Sequence, residues 1–161
     1  MLTTPICCLS KKPVETAALS RTSYMPFILP ASKSLPDDLA LALRGGSPLV
    51  VMVSLDGCPF CKVARDSYLG PLQQEQGLPV VQLDMRSRLV LVDFKSKRLT
   101  HDELIRSWGI KVAPTVLFFG PGGVEVAERL VGGYIPDFYG AYLDERIRQS
   151  RSVIRAQPRP V

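Results

Sequence analysis

Apolar positions along this chain fall into two kinds of pattern, short unbroken blocks and stretches with helical spacing. Leu49, Val50, Val51, Met52 and Val53 form a block between Pro48 and Gly57, which predicts a strand buried on both faces. Leu78–Met85 and Val116–Phe119 are further blocks of this kind, and Val124–Val131 follows the Gly120–Gly123 turn with partial alternation, predicting an antiparallel hairpin. Between the blocks the period lengthens. Ser34 as a cap, Asp37 and Asp38 in the first turn, Leu35, Leu39 and Leu43 four apart and Gly45 as a stop predict a helix. A second helix is predicted from Cys58 towards Gln76, kinked or broken at Gly70 and Pro71. Thr100 and Glu103 have capping-box spacing ahead of Leu104 and Trp108, with Gly109 as terminator. A last helix starts at Pro136 with Phe138, Tyr142, Leu143 and Ile147 on its apolar face and fades beyond Arg151.

The order helix, strand, helix, strand, helix, strand, strand, helix predicts an α/β domain. Its first two strands, joined by a helix, run parallel, and the hairpin completes a four-stranded mixed sheet with helices on both faces. The segment Arg86–Arg98, an apolar run at Leu89–Val92 flanked by basic residues and ended by Asp93, is predicted as an extra strand or hairpin inserted before the Thr100 helix.

With 161 residues and 46% hydrophobic content the chain supports one domain with a substantial core. The predicted organisation is a flexible basic leader over 1–33, a domain over 34–150 and a basic disordered tail over 151–161. The net charge of +5 changes meaning once it is located. From Asp37 to Glu145 there are 11 Lys and Arg against 14 Asp and Glu, so the excess sits at the two ends. That argues against a nucleic-acid face on the domain. No stretch is long and apolar enough to span a membrane. The leader lacks a signal peptide's apolar run, because Pro13, Glu15, Ser20 and Arg21 interrupt it, which points to the cytoplasm.

The candidate chemistry is Cys58, Pro59, Phe60, Cys61 at the end of the first strand. The first turn of a helix offers unpaired N–H groups and a positive dipole end, which favour a thiolate, and Pro59 suits the first helical position. Cys61 returns to the same helical face within disulfide reach. The pair is a candidate redox switch; half of a zinc site and two cysteines that merely pack are the alternatives. Against zinc, the other cysteines, Cys7 and Cys8, are adjacent and far upstream, read as an incidental pair, and the single histidine, His101, reads as a solvated surface residue.

Taken together, the strand ending in CxxC, the Ala113–Thr115 segment and Gly132-Gly133 before the last helix resemble the thioredoxin-like family, over roughly Pro48–Gln149. The resemblance implies the thioredoxin fold, with Pro114 in a cis bond facing Cys58 and Ala113 pairing by its backbone with a substrate peptide. It implies a thiol:disulfide oxidoreductase in which Cys58 attacks and Cys61 resolves, with Ala113, Pro114, Pro59 and Phe60 contacting substrate. No cofactor is required. The implied partners are a protein disulfide and an upstream electron donor, with no nucleic acid, no membrane insertion and a monomeric state. Gly57 and Met52 stand where thioredoxins carry a Trp and a buried Asp. Gly132, Gly133 and Asp137 also lie on a pattern with which glutaredoxins hold glutathione. In layout the chain is most similar to bacterial envelope proteins, including those accompanying sulfur oxidation, and that similarity points to the periplasm.

Overall fold

The computed structural model describes residues 26–133 and 136–157, the side chains of 136 and 137 excepted. Cys7 and Cys8 lie outside the described residues, as does the side chain of Asp137. The elements are α1 (Leu35–Arg44), β1 (Leu49–Ser54), α2 (Pro59–Val63), a π-helical turn (Ala64–Leu69), α3 (Gly70–Gln76), β2 (Val80–Asp84), β3 (Val90–Val92), β4 (Arg98–Thr100), α4 (His101–Ser107), β5 (Thr115–Gly120), β6 (Val124–Val131) and α5 (Pro136–Ala156).

The main sheet has the order β2-β1-β5-β6. β1 runs parallel to β2 and antiparallel to β5, and β5 is antiparallel to β6. This is the predicted mixed sheet. All six residues of β1 are buried, because strand alternation sends them into two separate cores. Val50 and Met52 pack with Cys61, Leu69, Phe118, Leu143 and Ile147, on the side of the cysteine helix and α5. Val51 and Val53 pack with Leu35, Leu39, Leu104, Ile105 and Phe119, on the side of α1 and α4.

The second helix is neither broken nor ended at Gly70-Pro71. It widens instead: the Gly70 N–H reaches back five residues to the Arg65 carbonyl, and the chain continues as α3 to Gln76. A π turn absorbs the missing proline N–H without interrupting the rod. Gly70 is there for space, since a Cβ would lie 2.2 Å from Cγ of Phe27.

That contact also moves the domain's start ahead of Ser34. Leu29 and Ser32 are buried. Gln82 N–H donates to the Pro30 carbonyl at 2.8 Å and Val92 N–H to that of Lys33 at 3.0 Å. The residues before α1 therefore cover the edge of β2 and tie it to the β3–β4 hairpin, which is the predicted insert. At the other end α5 runs through Arg151 to Ala156. Its inward stripe is Tyr139, Leu143, Ile147 and Ser150, while Phe138 and Tyr142 are exposed. Leu143 and Ile147 of the predicted face are thus inward, Tyr139 takes the place expected for Phe138 and Tyr142, and a polar residue hides the continuation: the Ser150 hydroxyl is taken up by the Arg146 carbonyl at 2.7 Å.

His101 corrects the sequence reading most sharply, being fully buried rather than solvated. Its Nδ1 accepts from the Asp84 N–H at 3.2 Å and its Nε2 lies 3.2 Å from the Ser32 carbonyl, so the proton is on Nε2. It joins α4, the end of β2 and the segment before α1. A polar residue in the first turn of a helix looks solvated until an outside segment folds over it.

Candidate active site

Gly57, at a positive φ of 70°, turns the chain out of β1 so that Cys58 caps the cysteine helix. The Cys61 N–H donates to Cys58 Sγ at 3.2 Å, and Pro59 follows as the first helical residue. Cys58 is partly exposed and Cys61 buried, both as free thiols. One sulfur is within reach of a substrate and the other is enclosed behind it.

Burial raises the Cys61 thiol to about 11, and the Cys58 sulfur beside it adds to the rise. Hydrogen bonds from the Leu55 backbone and the Ser54 hydroxyl oppose it. No carboxylate is among the groups acting on Cys61, and Met52, at the place of the family's acid, is fully buried. The Tyr139 phenol, buried without a hydrogen-bond partner, is held well above its usual range by burial, then by Cys61, then by Tyr68. Cys61 is therefore a protonated thiol at neutral pH.

The Ala113-Pro114 peptide is cis, and Cys58 Sγ lies 3.9 Å from the Ala113 carbonyl oxygen. The loop is held by the Gly132 N–H on the Pro114 carbonyl at 2.7 Å and by the Thr115 hydroxyl on that of Val112, also 2.7 Å. Around it stand exposed Phe60, Val112 and Val131. Gly133 lets the collar close, since a Cβ there would meet that of Phe60 at 3.2 Å. Thus Cys58, Pro59, Phe60 and Cys61 lie at one place in the fold with Ala113 and Pro114.

Sequence reasoning missed a second wall. A cavity of about 980 Å³ opens beside both thiols. It is lined by Ser54–Gly57, by Lys62 and Arg65 of the cysteine helix, and by Gln82, Asp84, Met85, Arg86 and Ser87. Arg65 pairs with buried Asp66 at 3.3 Å and reaches the Gln82 Oε1 at 3.4 Å; Gln82 in turn donates to Asp84 Oδ1 at 2.7 Å. Nothing local in the sequence marks these residues, which come from two stretches, 54–65 and 82–87, brought together by the parallel β1–β2 pairing.

The model of the thioredoxin-like domain family matches residues 35–147. The chain belongs to that family. Among solved structures, a thioredoxin from Nicotiana alata is 17% identical with a TM-score of 0.50, covering 76% of this chain and 95% of its own. A Fasciola hepatica thioredoxin is 16% identical at 0.50, with coverages of 76% and 99%. The periplasmic thioredoxin SoxS from Paracoccus pantotrophus is 23% identical at 0.42, with coverages of 64% and 98%. No curated protein sequence matches. Within the thioredoxin-like family this chain has the thioredoxin fold and a CxxC pair at the start of the helix after the first strand, the general layout of thiol–disulfide oxidoreductases.

Proposed function

We propose that this chain is a thiol:disulfide oxidoreductase that reduces or isomerises disulfides of a dedicated protein partner. The observation that carries the reading is the pairing of a reachable thiol, set against the cis Ala113-Pro114 loop, with an enclosed thiol one helical turn on.

Cys58, as thiolate, attacks a substrate sulfur; the substrate S–S bond breaks, a mixed disulfide forms and one substrate thiol leaves with a proton. The Cys61 N–H faces the Cys58 sulfur, where negative charge sits before attack and again on release. Cys61 then passes its proton to the departing substrate sulfur and attacks Cys58, closing the protein disulfide and freeing the second substrate thiol. Two electrons have passed from protein to substrate, and an upstream dithiol donor restores the reduced state. Phe60, Pro59 and the Ala113 backbone flank the attacked sulfur, where a substrate strand lies along the loop.

Trapping tests this. Cys61→Ser should accumulate a mixed disulfide at Cys58, seen by mass spectrometry, and Cys58→Ser should form none. A pair with a reduction potential below about −300 mV would instead be a structural staple in a binding module.

A further inference from the structure

The β3–β4 hairpin and the loop leading into it differ in charge from the rest of the domain. Residues 86–98 carry Arg86, Arg88, Lys95, Lys97 and Arg98 against one acid, Asp93. Asp93 is committed internally, accepting the Lys95 and Lys97 N–H groups at 2.9 and 2.7 Å across the hairpin turn. Over the remainder of 37–145 there are 6 cationic residues against 13 acidic ones. A basic arm is thus set on an acidic body. The arm is rigidly placed: Leu91 is buried and the Phe94 ring lies 4.8 Å from that of Phe119.

The arm starts at the thiols. Arg86 and Ser87 line the cavity that Cys58, Cys61, Lys62 and Arg65 also line. Arg86 is held there in the left-handed region, φ 63°, with its N–H on Asp102 Oδ1 at 2.9 Å. A non-glycine residue kept at positive φ by a specific side chain is a placed residue. Two acids, Asp56 and Asp84, share the lining, so the cavity alone has a small positive excess that the hairpin extends. Leu89 and Val90 on the hairpin are exposed, adding apolar area between the cations. The other cationic concentration, Arg148, Arg151 and Arg155 on α5, lines a groove with Gln76 and Asp144 that includes neither thiol.

We infer that the cavity and the basic hairpin form a docking surface for an acidic segment of the protein substrate, adjacent to the disulfide that Cys58 attacks. The inference rests on the redox reading above and names the chemistry of its partner. A peptide with carboxylates and interspersed apolar residues matches cations flanking Leu89 and Val90. A long polyanion such as nucleic acid meets the acidic remainder of the domain. Opposite charge at the rim raises the association rate and sets which disulfide is presented, and both effects fade with salt.

The test uses the reduced full chain and three twelve-residue peptides, each with one cysteine in mixed disulfide with 2-mercaptoethanol, flanked by Asp and Leu, by Ser and Leu, or by Lys and Leu. The protein dithiol supplies two electrons, and each turnover releases one peptide thiol and one mercaptoethanol. At about 0.01 M salt the acidic peptide should react about tenfold faster than the neutral one, and at about 1 M the ratio should approach unity. The variant Arg86→Asn, Arg88→Gln, Lys97→Gln, with Asn chosen for its tolerance of positive φ, should lower the acidic-to-neutral ratio at least threefold. Equal rates for the acidic and neutral peptides, or a ratio that survives the triple change, overturn the docking surface while the redox reading stands. Inhibition by a DNA duplex at least as strong as by a cysteine-free acidic peptide overturns it in favour of nucleic acid. Failure of all three peptides to react removes the redox reading and the docking surface together.

Discussion

Two walls flank the redox pair, and they are made differently. The one at the cis Ala113-Pro114 loop is apolar, built of Phe60 beside the cysteines, Val112 and Val131 beside the loop, and Gly133. The other is polar, with Lys62 and Arg65 from the cysteine helix and Asp84, Arg86 and Ser87 from the end of β2. An apolar wall accepts many extended strands through backbone pairing and shape; a charged wall discriminates among them by steering and by the cost of stranding a like charge. The division teaches that exchange chemistry and substrate choice occupy different sets of residues, so that either is open to change without the other.

The largest effect should come from the atom shared by both walls. Cys58→Ser is expected to reduce turnover of a protein disulfide to the uncatalysed rate, read by insulin precipitation; surviving activity would place the nucleophile elsewhere. Next, His101→Ala removes two buried hydrogen-bond partners and leaves a void where α4, β2 and the residues before α1 meet. A loss of about 2–4 kcal/mol in denaturant unfolding is expected, with the alkylation rate of Cys58 nearly unchanged. Equal slowing of alkylation would show that the two walls are not mechanically separate.

The enclosed thiol predicts a pH dependence. Cys61 ionises near 9 when unfolded and at about 11 when folded, because burial disfavours the thiolate. Below pH 9 both states keep the proton and the contribution is constant; between about 9 and 11 the unfolded chain loses it first, so stability falls as pH rises. Reduced wild-type protein should therefore lose stability across that window faster than Cys61→Ala, and parallel curves would show a thiol more solvated than its burial implies. The smallest effect belongs to the apolar wall. Phe60→Ala should raise KM for a protein disulfide about threefold, the order of one partly exposed aromatic contact, and more than for a two-carbon disulfide.

Where local chemistry dominates, the sequence was a reliable guide. The Thr100–Glu103 capping box forms, with the Thr100 N–H on Glu103 Oε2 at 2.8 Å and the Glu103 N–H on the Thr100 hydroxyl at 3.2 Å. The run through β1 is buried throughout, and the cysteines begin the helix after it. Failures occurred where a remote segment supplies the environment. His101 is hidden by Ser32 and Asp84, Gly70 is filled by Phe27, and at the start of α5 the inward aromatic is Tyr139, not Phe138, because it meets Tyr68, with ring centroids 5.1 Å apart.

By itself the sequence determined the order of elements and the position of two thiols one turn apart, because periodicity, caps and a four-residue spacing act within a few residues of chain. Only the tertiary structure decided that one thiol is enclosed and the other open, that a histidine is a buried joint, and that cations from two segments meet beside the sulfurs. Burial and electrostatic neighbourhood are set by strands and loops that approach through space, and no short window of sequence contains them.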